Sequence, residues 1–508
     1  MYLTKNNLQK IAALGRQEVP AEDIFSFPDK VLQFGTGVLL RGLPDYIIDQ
    51  ANKKNLFGGR IVIVKSTGSG DMDMFYKQDG LYTVCIRGID KGKNVEENHI
   101  ISSVSRVLSA SNEWDAVLET AANPQMQVII SNTTEVGITL VKDNIHARPP
   151  QSFPGKLLSF LYRRFKLFNG DVTKGMVVIP TELITGNADK LLAIVKELAY
   201  QNDLEASFFD WLENANYFCN SLVDRIVPGK PPLAEQEKIE DSLGYKDELM
   251  IISEAYALWA IQSNNEKVKD VLSFASEEEG VVIAPDITKF RELKLRLLNG
   301  SHTFSCGLAW LAGFKTVKDA MADEHFAGYI KRLTFDEIAP AITGDTITRD
   351  DAEIFAAKVI DRFKNNFIDH HWLSICLQYS SKMRLRNIDV IVNYIYRFDQ
   401  APSLMAMGMA AHILFMKVTP ASDGKFYGEF NGNRYQIDDQ NAELYADYWK
   451  KFPVESLVNK ILNNEQLWGT DLSVLNGFET QVSYWLQLMM DKGVLHALQQ
   501  HNDNVIVH

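Results

Sequence analysis

The chain changes its hydrophobic rhythm once. Up to about residue 286, short apolar runs alternate with stretches of helical spacing; beyond that point helical spacing dominates. Runs at 30–34, 59–64, 81–86, 104–108, 127–130, 175–179 and 281–284 have the length and apolar content of strands. Between them, 43–51, 114–122, 154–168 and 191–200 repeat apolar residues every three or four positions, and 5–16 forms a short amphipathic helix before the first strand. Strands alternating with helices predict a parallel sheet covered by helices. In the second part Phe355, Val359, Phe363 and Phe367 make a row at i, i+4, the buried stripe of a helix whose start is signalled by Thr348 and Asp351. Aromatic runs flanking Asn431-Gly432 predict a small β-hairpin over 425–437, and helical spacing resumes through 441–500.

The first strand runs into Gly35-Thr36-Gly37-Val38-Leu39-Leu40-Arg41, and apolar positions at Leu43, Tyr46, Ile47, Ile48 and Ala51 continue as a helix. A strand, a glycine turn and a helix in that order build a dinucleotide site. The first glycine allows the turn, and the second lets backbone approach a pyrophosphate at the helix N-terminus. Leu40 stands where a third glycine is usual, so a ligand-free turn stays open as the other reading. The second strand ends in Lys65-Ser66-Thr67, with Asp71 further on, where an acid would hold the ribose of NAD. Lys65 tolerates a 2′-phosphate, leaving NAD and NADP both open on this ground. Run 127–130 ends in Ser131-Asn132-Thr133-Thr134-Glu135, polar residues that either face a ligand crevice or cap a helix. The expected architecture is an α/β N-terminal Rossmann-type domain with extra strands over 1–286, followed by a mostly α-helical C-terminal domain over 287–508.

Bulk properties narrow the partners. With 508 residues the chain is too long for one core. A net charge of −13 disfavours nucleic acid and anionic membranes. No apolar run reaches membrane-span length, and the first twenty residues lack the apolar segment of a secretion signal. Cys85, Cys219, Cys306 and Cys376 are widely spaced and read as buried free thiols of a cytoplasmic protein, and no metal motif is present.

The stretch from Lys294 to His302 carries the strongest candidate chemistry. An amine at Lys294, an amide at Asn299 and an imidazole at His302 fall within roughly 140° of arc on an α-helix. A lysine that moves a proton, beside two polar groups that grip a carbonyl or hydroxyl oxygen, suits carbonyl reduction or alcohol oxidation. Solvated charges, a turn at Asn299-Gly300 and a cap at Ser301 are the plainer reading of the same residues. Asp224-Arg225, in an apolar context, is either a buried ion pair fixing a turn or part of a site.

Together, Phe34-Gly-Thr-Gly37-Val-Leu-Leu-Arg41, Ser131-Asn-Thr-Thr-Glu135, Leu222-Val-Asp-Arg-Ile-Val-Pro228 and Lys294-x4-Asn299-x2-His302 resemble the polyol-specific long-chain dehydrogenases, the mannitol dehydrogenase family, over nearly the whole chain. Arg41-Gly-Leu-Pro-Asp-Tyr46, Thr181-Glu-Leu-Ile184 and Leu298-Asn-Gly-Ser-His-Thr303 look most like the branch that reduces D-tagaturonate to D-altronate in hexuronate catabolism. Branches acting on fructuronate or mannitol are the nearest competitors. A non-catalytic sensor of cofactor or sugar acid is the alternative from another class, against which the intact Lys294, Asn299 and His302 speak. The resemblance implies metal-independent hydride transfer with NAD, an active site between the two domains, a small sugar-acid substrate, and a monomer or weak oligomer. It implies Lys294 as the proton donor in reduction and base in oxidation. Asn299 and His302 would orient the reacting oxygen, with Asn187 as a second amide donor. Asp224 would lie near substrate. Gly35, Thr36, Gly37, Val38, Leu39 and Arg41 would line the cofactor site, and Asn132 and Thr133 its nicotinamide side. Lys382, Arg384 and Arg386 are the candidate cations for the substrate carboxylate, or else surface charges.

Overall fold

Strand β1 (Asp29–Phe34) is buried from Val31 onward, with helices and strands covering both faces of its sheet. It is the axis of the first of two units in the computed structural model, which describes residues 1–65, 72–133, 137–276 and 280–503. Ser66, Thr67, Asp71, Thr134, Glu135 and Val136 lie outside the described residues. The units comprise Met1–Gly88 with Asn94–Ile287, and Ile89–Lys93 with Thr288–His508.

In the first unit, β1 pairs in parallel with β2 (Arg60–Lys65). The remaining strands are β3 (Tyr82–Asp90), β4 (Lys93–Ile101), β5 (Val104–Ser109), β6 (Val128–Ser131), β7 (Val177–Pro180), β8 (Tyr217–Phe218), β9 (Ser221–Asp224), β10 (Ile251–Glu254), β11 (Leu258–Gln262) and β12 (Val281–Ala284). The main sheet has the order β5-β2-β1-β6-β7-β8, parallel throughout. The chain therefore builds outward on one side of β1, then crosses and builds outward on the other. In such sheets the crevice opens beyond the carboxyl ends of the strands where direction reverses, here β1 and β6. The extra strands form two smaller sheets, β10-β3-β4 and β12-β11-β9.

Strand alternation sorts the core into two layers. Val31, Ile61, Ile63, Val128, Ile130 and Ile179 face one, while Leu32, Phe34, Val62, Val64, Ile129 and Val178 face the other. Both layers are apolar, as a parallel sheet covered on two faces requires.

The second unit is mostly helical. Thr348 and Asp351 close a capping box on the Arg349–Phe363 helix, which buries Phe355, Val359 and Phe363. The helix stops there, so Phe367 falls outside the row and is 39% exposed. The hairpin is part of a three-stranded sheet, β13 (Val418–Pro420), β14 (Phe426–Phe430) and β15 (Asn433–Ile437). Its turn places Asn431 and Gly432 at φ 48° and 77°, the left-handed pair that a two-residue hairpin needs. Among the described residues, no helix is long and apolar enough to cross a membrane.

Candidate active site

The glycine turn after β1 is held from beneath. Gly35 has φ +128°, and a Cβ there would lie 2.9 Å from Leu40 Cδ1 and 3.2 Å from the Asn132 carbonyl oxygen. Leu40 thus fills the place of the third glycine by packing under the first. A different glycine provides close packing of the Val38–Gly42 helix: a Cβ on Gly42 would meet both methyls of Val227 at 2.9 Å. Gly37 differs from both, since a Cβ on it would meet nothing within 4 Å. That open space is compatible with a ligand at the turn. Val38 and Leu39 are half-buried behind it. Below, Gln33 Nε2 donates to the Gly35 carbonyl at 3.3 Å and lies 3.5 Å from Asp45 Oδ2.

A cavity of about 240 Å³ extends from this turn to the end of β2, lined by Thr36, Val38, Arg41, Lys65, Phe75 and Lys230 among others. Arg41 donates to the Leu249 carbonyl at 2.8 Å, and its guanidinium lies over the rings of Phe75 and Tyr82. It is a buried wall of the cavity whose charge is anchored at the far end.

The ends of β6 and β7 are knitted together. Asn132 Nδ2 donates to Thr181 O and Oγ1 at 3.1 and 3.0 Å, and Thr133 N donates to Glu182 Oε1 at 2.8 Å. The hydroxyls of Ser131 and Thr133 also donate to the Glu182 carboxyl. Burial pushes that carboxyl up, against the pull of these donors. Glu182 entered the sequence reading only within Thr181-Glu-Leu-Ile184 and received no site role there, although its adjacency to Thr181 at a strand end was the available signal.

Asn187 is corrected here. Its Nδ2 donates to the carbonyls of Pro180, Glu182 and Ser221, and its Oδ1 accepts from Ala188 N and Ser221 N. Both amide hydrogens are spent on backbone, so Asn187 is a fully buried strut between β7 and β9, not a donor to a substrate oxygen. Asp224 ends β9 and is buried. Arg225 donates to the carbonyls of Glu254 and Gly42 and lies over the Tyr46 ring.

In the second unit, Lys294–Gly300 is a π-helix running into the Ser301–Leu311 α-helix, and not the α-helix assumed from spacing. A π-helix advances about 80° per residue, so positions five apart stand roughly 40° apart instead of the 140° of an α-helix. The wider turn thereby brings the half-buried Lys294 and Asn299 onto one line. It also upsets the backbone ladder, and side chains repair it. Ser301 Oγ donates to Leu297 O and Leu298 O, His302 Nδ1 lies 2.8 Å from Leu298 O, and Thr303 Oγ1 donates to Asn299 O at 2.8 Å. Arg296 pins the segment through Glu292 Oε2 (3.0 Å), Asp389 Oδ2 (2.9 Å) and the carbonyls of Leu385 and Arg386.

A carbonyl only accepts, so the bond to Leu298 fixes His302 as the Nδ1–H tautomer and leaves Nε2 as an acceptor. Burial, then the charges of His370, Arg362 and Arg386, hold this imidazole well below its usual range, so it is neutral. His302 is therefore suited to receive a hydrogen bond from a hydroxyl.

The Tyr379–Phe398 helix separates the three candidate cations. Lys382 and Arg386, one turn apart, share a face and are half-buried. Arg386 Nη1 donates to Thr303 Oγ1 at 3.1 Å, next to His302. Arg384 points elsewhere, donating from an exposed position to Gln466 O at 3.1 Å. Among the described residues no group of three or more His, Cys, Asp or Glu is placed to hold a metal ion.

Two family models match the chain: the mannitol dehydrogenase Rossmann domain over 29–272 and the mannitol dehydrogenase C-terminal domain over 286–490. An altronate oxidoreductase of Bacillus subtilis (strain 168) is 36% identical over 478 residues, covering 94% of this chain and 95% of that protein. One of Klebsiella pneumoniae (strain 342) is 35% identical over 496 residues, covering 96% and 99%. Among solved structures, Pseudomonas fluorescens mannitol 2-dehydrogenase in ternary complex with NAD and D-mannitol superposes with a TM-score of 0.66 at 22% identity, covering 99% of this chain and all of that one. A substrate-free D-sorbitol dehydrogenase gives 0.74 at 19% identity, covering 98% and 100%. At these identities the structural likeness speaks for the fold.

Proposed function

Since the chain belongs to the mannitol dehydrogenase family, oxidoreductases acting on CH–OH groups, we propose that it interconverts D-tagaturonate and D-altronate with NAD as cofactor. The observation that carries the chemistry is the π-helix that lines up Lys294 with Asn299 and delivers His302 as a neutral acceptor. The altronate oxidoreductases similar over nearly the full chain support the sugar-acid substrate.

The residues present fit a dinucleotide. Gly35 supplies the turn, Gly37 leaves room for close approach of a pyrophosphate, and the cavity reaching Lys65 follows the direction of an adenosine half. Gly35, Thr36, Gly37, Val38, Leu39 and Arg41 would hold the cofactor, with Asn132 and Thr133 toward its nicotinamide. NADH, when bound, supplies the hydride that reduces a carbonyl carbon. Lys294 donates the proton that the resulting alkoxide takes up, and withdraws it in oxidation. The Asn299 amide donates to the oxygen as negative charge develops there, an effect worth roughly 3 kcal/mol per donor in comparable sites. His302 Nε2 accepts from a substrate hydroxyl and so orients the sugar chain. Asp224 is the candidate acceptor for a further hydroxyl.

The test is loss of NADH absorbance on D-tagaturonate, D-fructuronate and D-fructose side by side, repeated with NADPH. Preference for tagaturonate with NADH is the expected outcome. Preference for another of the three keeps the mechanism and changes the substrate, while inertness on all three sinks the proposal. Lys294→Ala should lower turnover by about 10²–10⁴-fold with NADH binding retained. Undiminished turnover in that variant would remove the lysine from its role.

A further inference from the structure

We infer that Asp45 works as an un-ionised carboxylic acid: it donates its proton to Tyr82 and so braces the turn at 35–41 in the shape that takes a dinucleotide. The inference rests on the cofactor site proposed above and deepens it. Asp45 is a positioning residue that acts through Tyr82 and Gln33 from beneath the turn.

Asp45, Tyr82 and Gln33 are fully buried. Tyr82 Oη lies 3.1 Å from Asp45 Oδ2 and 3.1 Å from the Arg41 carbonyl oxygen. A phenol has one hydrogen, and a carbonyl only accepts. An ionised Asp45 only accepts too, so Oδ2 and the Arg41 oxygen would compete for a single hydrogen. With a proton on Oδ2 the conflict disappears: Asp45 donates to Tyr82, and Tyr82 donates to Arg41 O.

The rest of the carboxyl agrees with a neutral acid. Among the described residues Oδ1 has no hydrogen-bond partner, and besides Tyr82 Oδ2 meets only Gln33 Nε2, at 3.5 Å. Asp45 stands in the first turn of the Pro44–Lys53 helix, yet among the described residues no backbone N–H of that turn donates to it. A buried carboxylate so poorly partnered is costly, and a neutral acid costs less. Asp49, one turn along, is the contrast: it accepts from Ser102 N and Oγ at 2.6 and 2.8 Å and pairs with Lys53 at 2.8 Å. Burial raises the Asp45 carboxyl to about 7; of the charges bearing on it, Arg41 pulls toward ionisation and Asp49 opposes it. Burial also pushes the Tyr82 hydroxyl well above its usual range, so its hydrogen stays in place.

Both neighbours of the carboxyl end on the turn. Tyr82 holds the carbonyl of Arg41, and Gln33 holds that of Gly35 at 3.3 Å. Between these two anchors lies Gly37 with its open space. The Arg41 guanidinium lines the cavity there, and its buried Nε has no hydrogen-bond partner among the described residues. A neutral Asp45 leaves that positive charge to an anion in the cavity, such as a pyrophosphate. An ionised Asp45 would compete for it, draw the Tyr82 hydrogen away from Arg41 O, and add a negative charge beneath the site. NADH therefore favours the protonated form, and its binding should weaken as pH rises through the Asp45 value.

The test has two readouts on the whole chain. The infrared difference spectrum between wild type and Asp45→Asn shows a protonated carboxyl directly, through its carbonyl stretch. Fluorescence titration gives the Kd for NADH at about pH 6 and about pH 8.5 in wild type, Asp45→Asn and Tyr82→Phe, with melting temperature as the folding control. The protonated-acid band should be present at the lower pH and lost at the higher. The wild-type Kd should rise by about tenfold or more over that interval. An amide at position 45 still donates to Tyr82 and does not ionise, so the Kd of Asp45→Asn should change by less than about threefold. Tyr82→Phe cuts the link to Arg41 and should raise the Kd by about tenfold already at the lower pH. A missing band at the lower pH overturns the inference, as does one pH profile shared by wild type and Asp45→Asn. So does a Tyr82→Phe protein that melts normally and binds NADH as wild type does; if that variant fails to fold, the Asp45→Asn profile decides. A band in wild type that binds no NADH at either pH overturns instead the dinucleotide site, and the positioning role with it.

Discussion

Two asparagines with the same side chain have opposite duties here. Asn187 spends its amide on five backbone groups, whereas Asn299 sits half-buried on the π-helix beside Lys294. Asn187→Ala should cost about 2–4 kcal/mol in thermal or urea unfolding, because buried backbone groups lose their partners. Asn299→Ala should lower kcat by about 10²–10³-fold and leave stability within about 1 kcal/mol. A normal melting curve for Asn187→Ala would mean that water or a neighbour replaces the strut. The sequence could not separate the two, since an amide looks alike whether its hydrogens face backbone or pocket. Which of them is saturated depends on residues such as Pro180 and Ser221 that are distant in the chain.

At the scale of the element, the glycine turn and the π-helix show how far local pattern reaches. The turn was legible because Gly35 and Gly37 stand between a strand run and a helical run. Their separate reasons were not: Gly35 answers to its φ and to Leu40, Gly37 to open space. Gly35→Ala should therefore destabilise the fold by about 1–3 kcal/mol and weaken NADH binding as well. Gly37→Ala should leave stability within about 1 kcal/mol while weakening NADH binding by roughly tenfold or more, measured by fluorescence titration. Unimpaired NADH binding by Gly37→Ala would argue that no pyrophosphate comes close. The π register left a trace in the sequence, the run Ser301, His302, Thr303, in which each side chain can reach back one turn to a carbonyl. Ser301→Ala removes the donor to two buried carbonyls and should cost about 1–3 kcal/mol, with kcat falling because Lys294 and Asn299 lose their line. Unchanged kcat in that variant would separate the π register from catalysis.

Over the whole molecule, buried titratable groups set opposing pH limits on stability. Burial raises the Asp45 carboxyl to about 7, and its Oδ1 has no hydrogen-bond partner among the described residues. Its folded value exceeds its unfolded one of 3.8, so the folded state holds the proton more tightly, and the stability it confers is lost as pH rises from about 4 through about 7. Burial lowers His412 to about 3, and lowers His302 and His370 in the same direction. These rings fold neutral, so their contribution is intact above an unfolded value near 6.5 and is lost as pH falls below it. Each group contributes a slope of at most about 1.4 kcal/mol per pH unit within its window. Asp45→Asn should consequently gain in melting temperature relative to wild type as pH is raised from 5 to 8; a constant offset between the two proteins would show that Asp45 is ionised throughout.

The sequence by itself determined the two-part organisation, the parallel sheet with its glycine turn, the hairpin at Asn431-Gly432 and the segment carrying Lys294, Asn299 and His302. Each is written in local periodicity, in backbone demands that only glycine or asparagine meets readily, or in spacing within one turn or two of chain. Tertiary structure decided what depends on residues far apart in sequence. It committed Asn187 to backbone, turned Arg384 away from Lys382 and Arg386, fixed the tautomer of His302, and packed His370 against that ring. Hydrogen bonds and charges act across a few ångströms of space, and spacing along the chain records such distances only where neighbours in space are also neighbours in sequence.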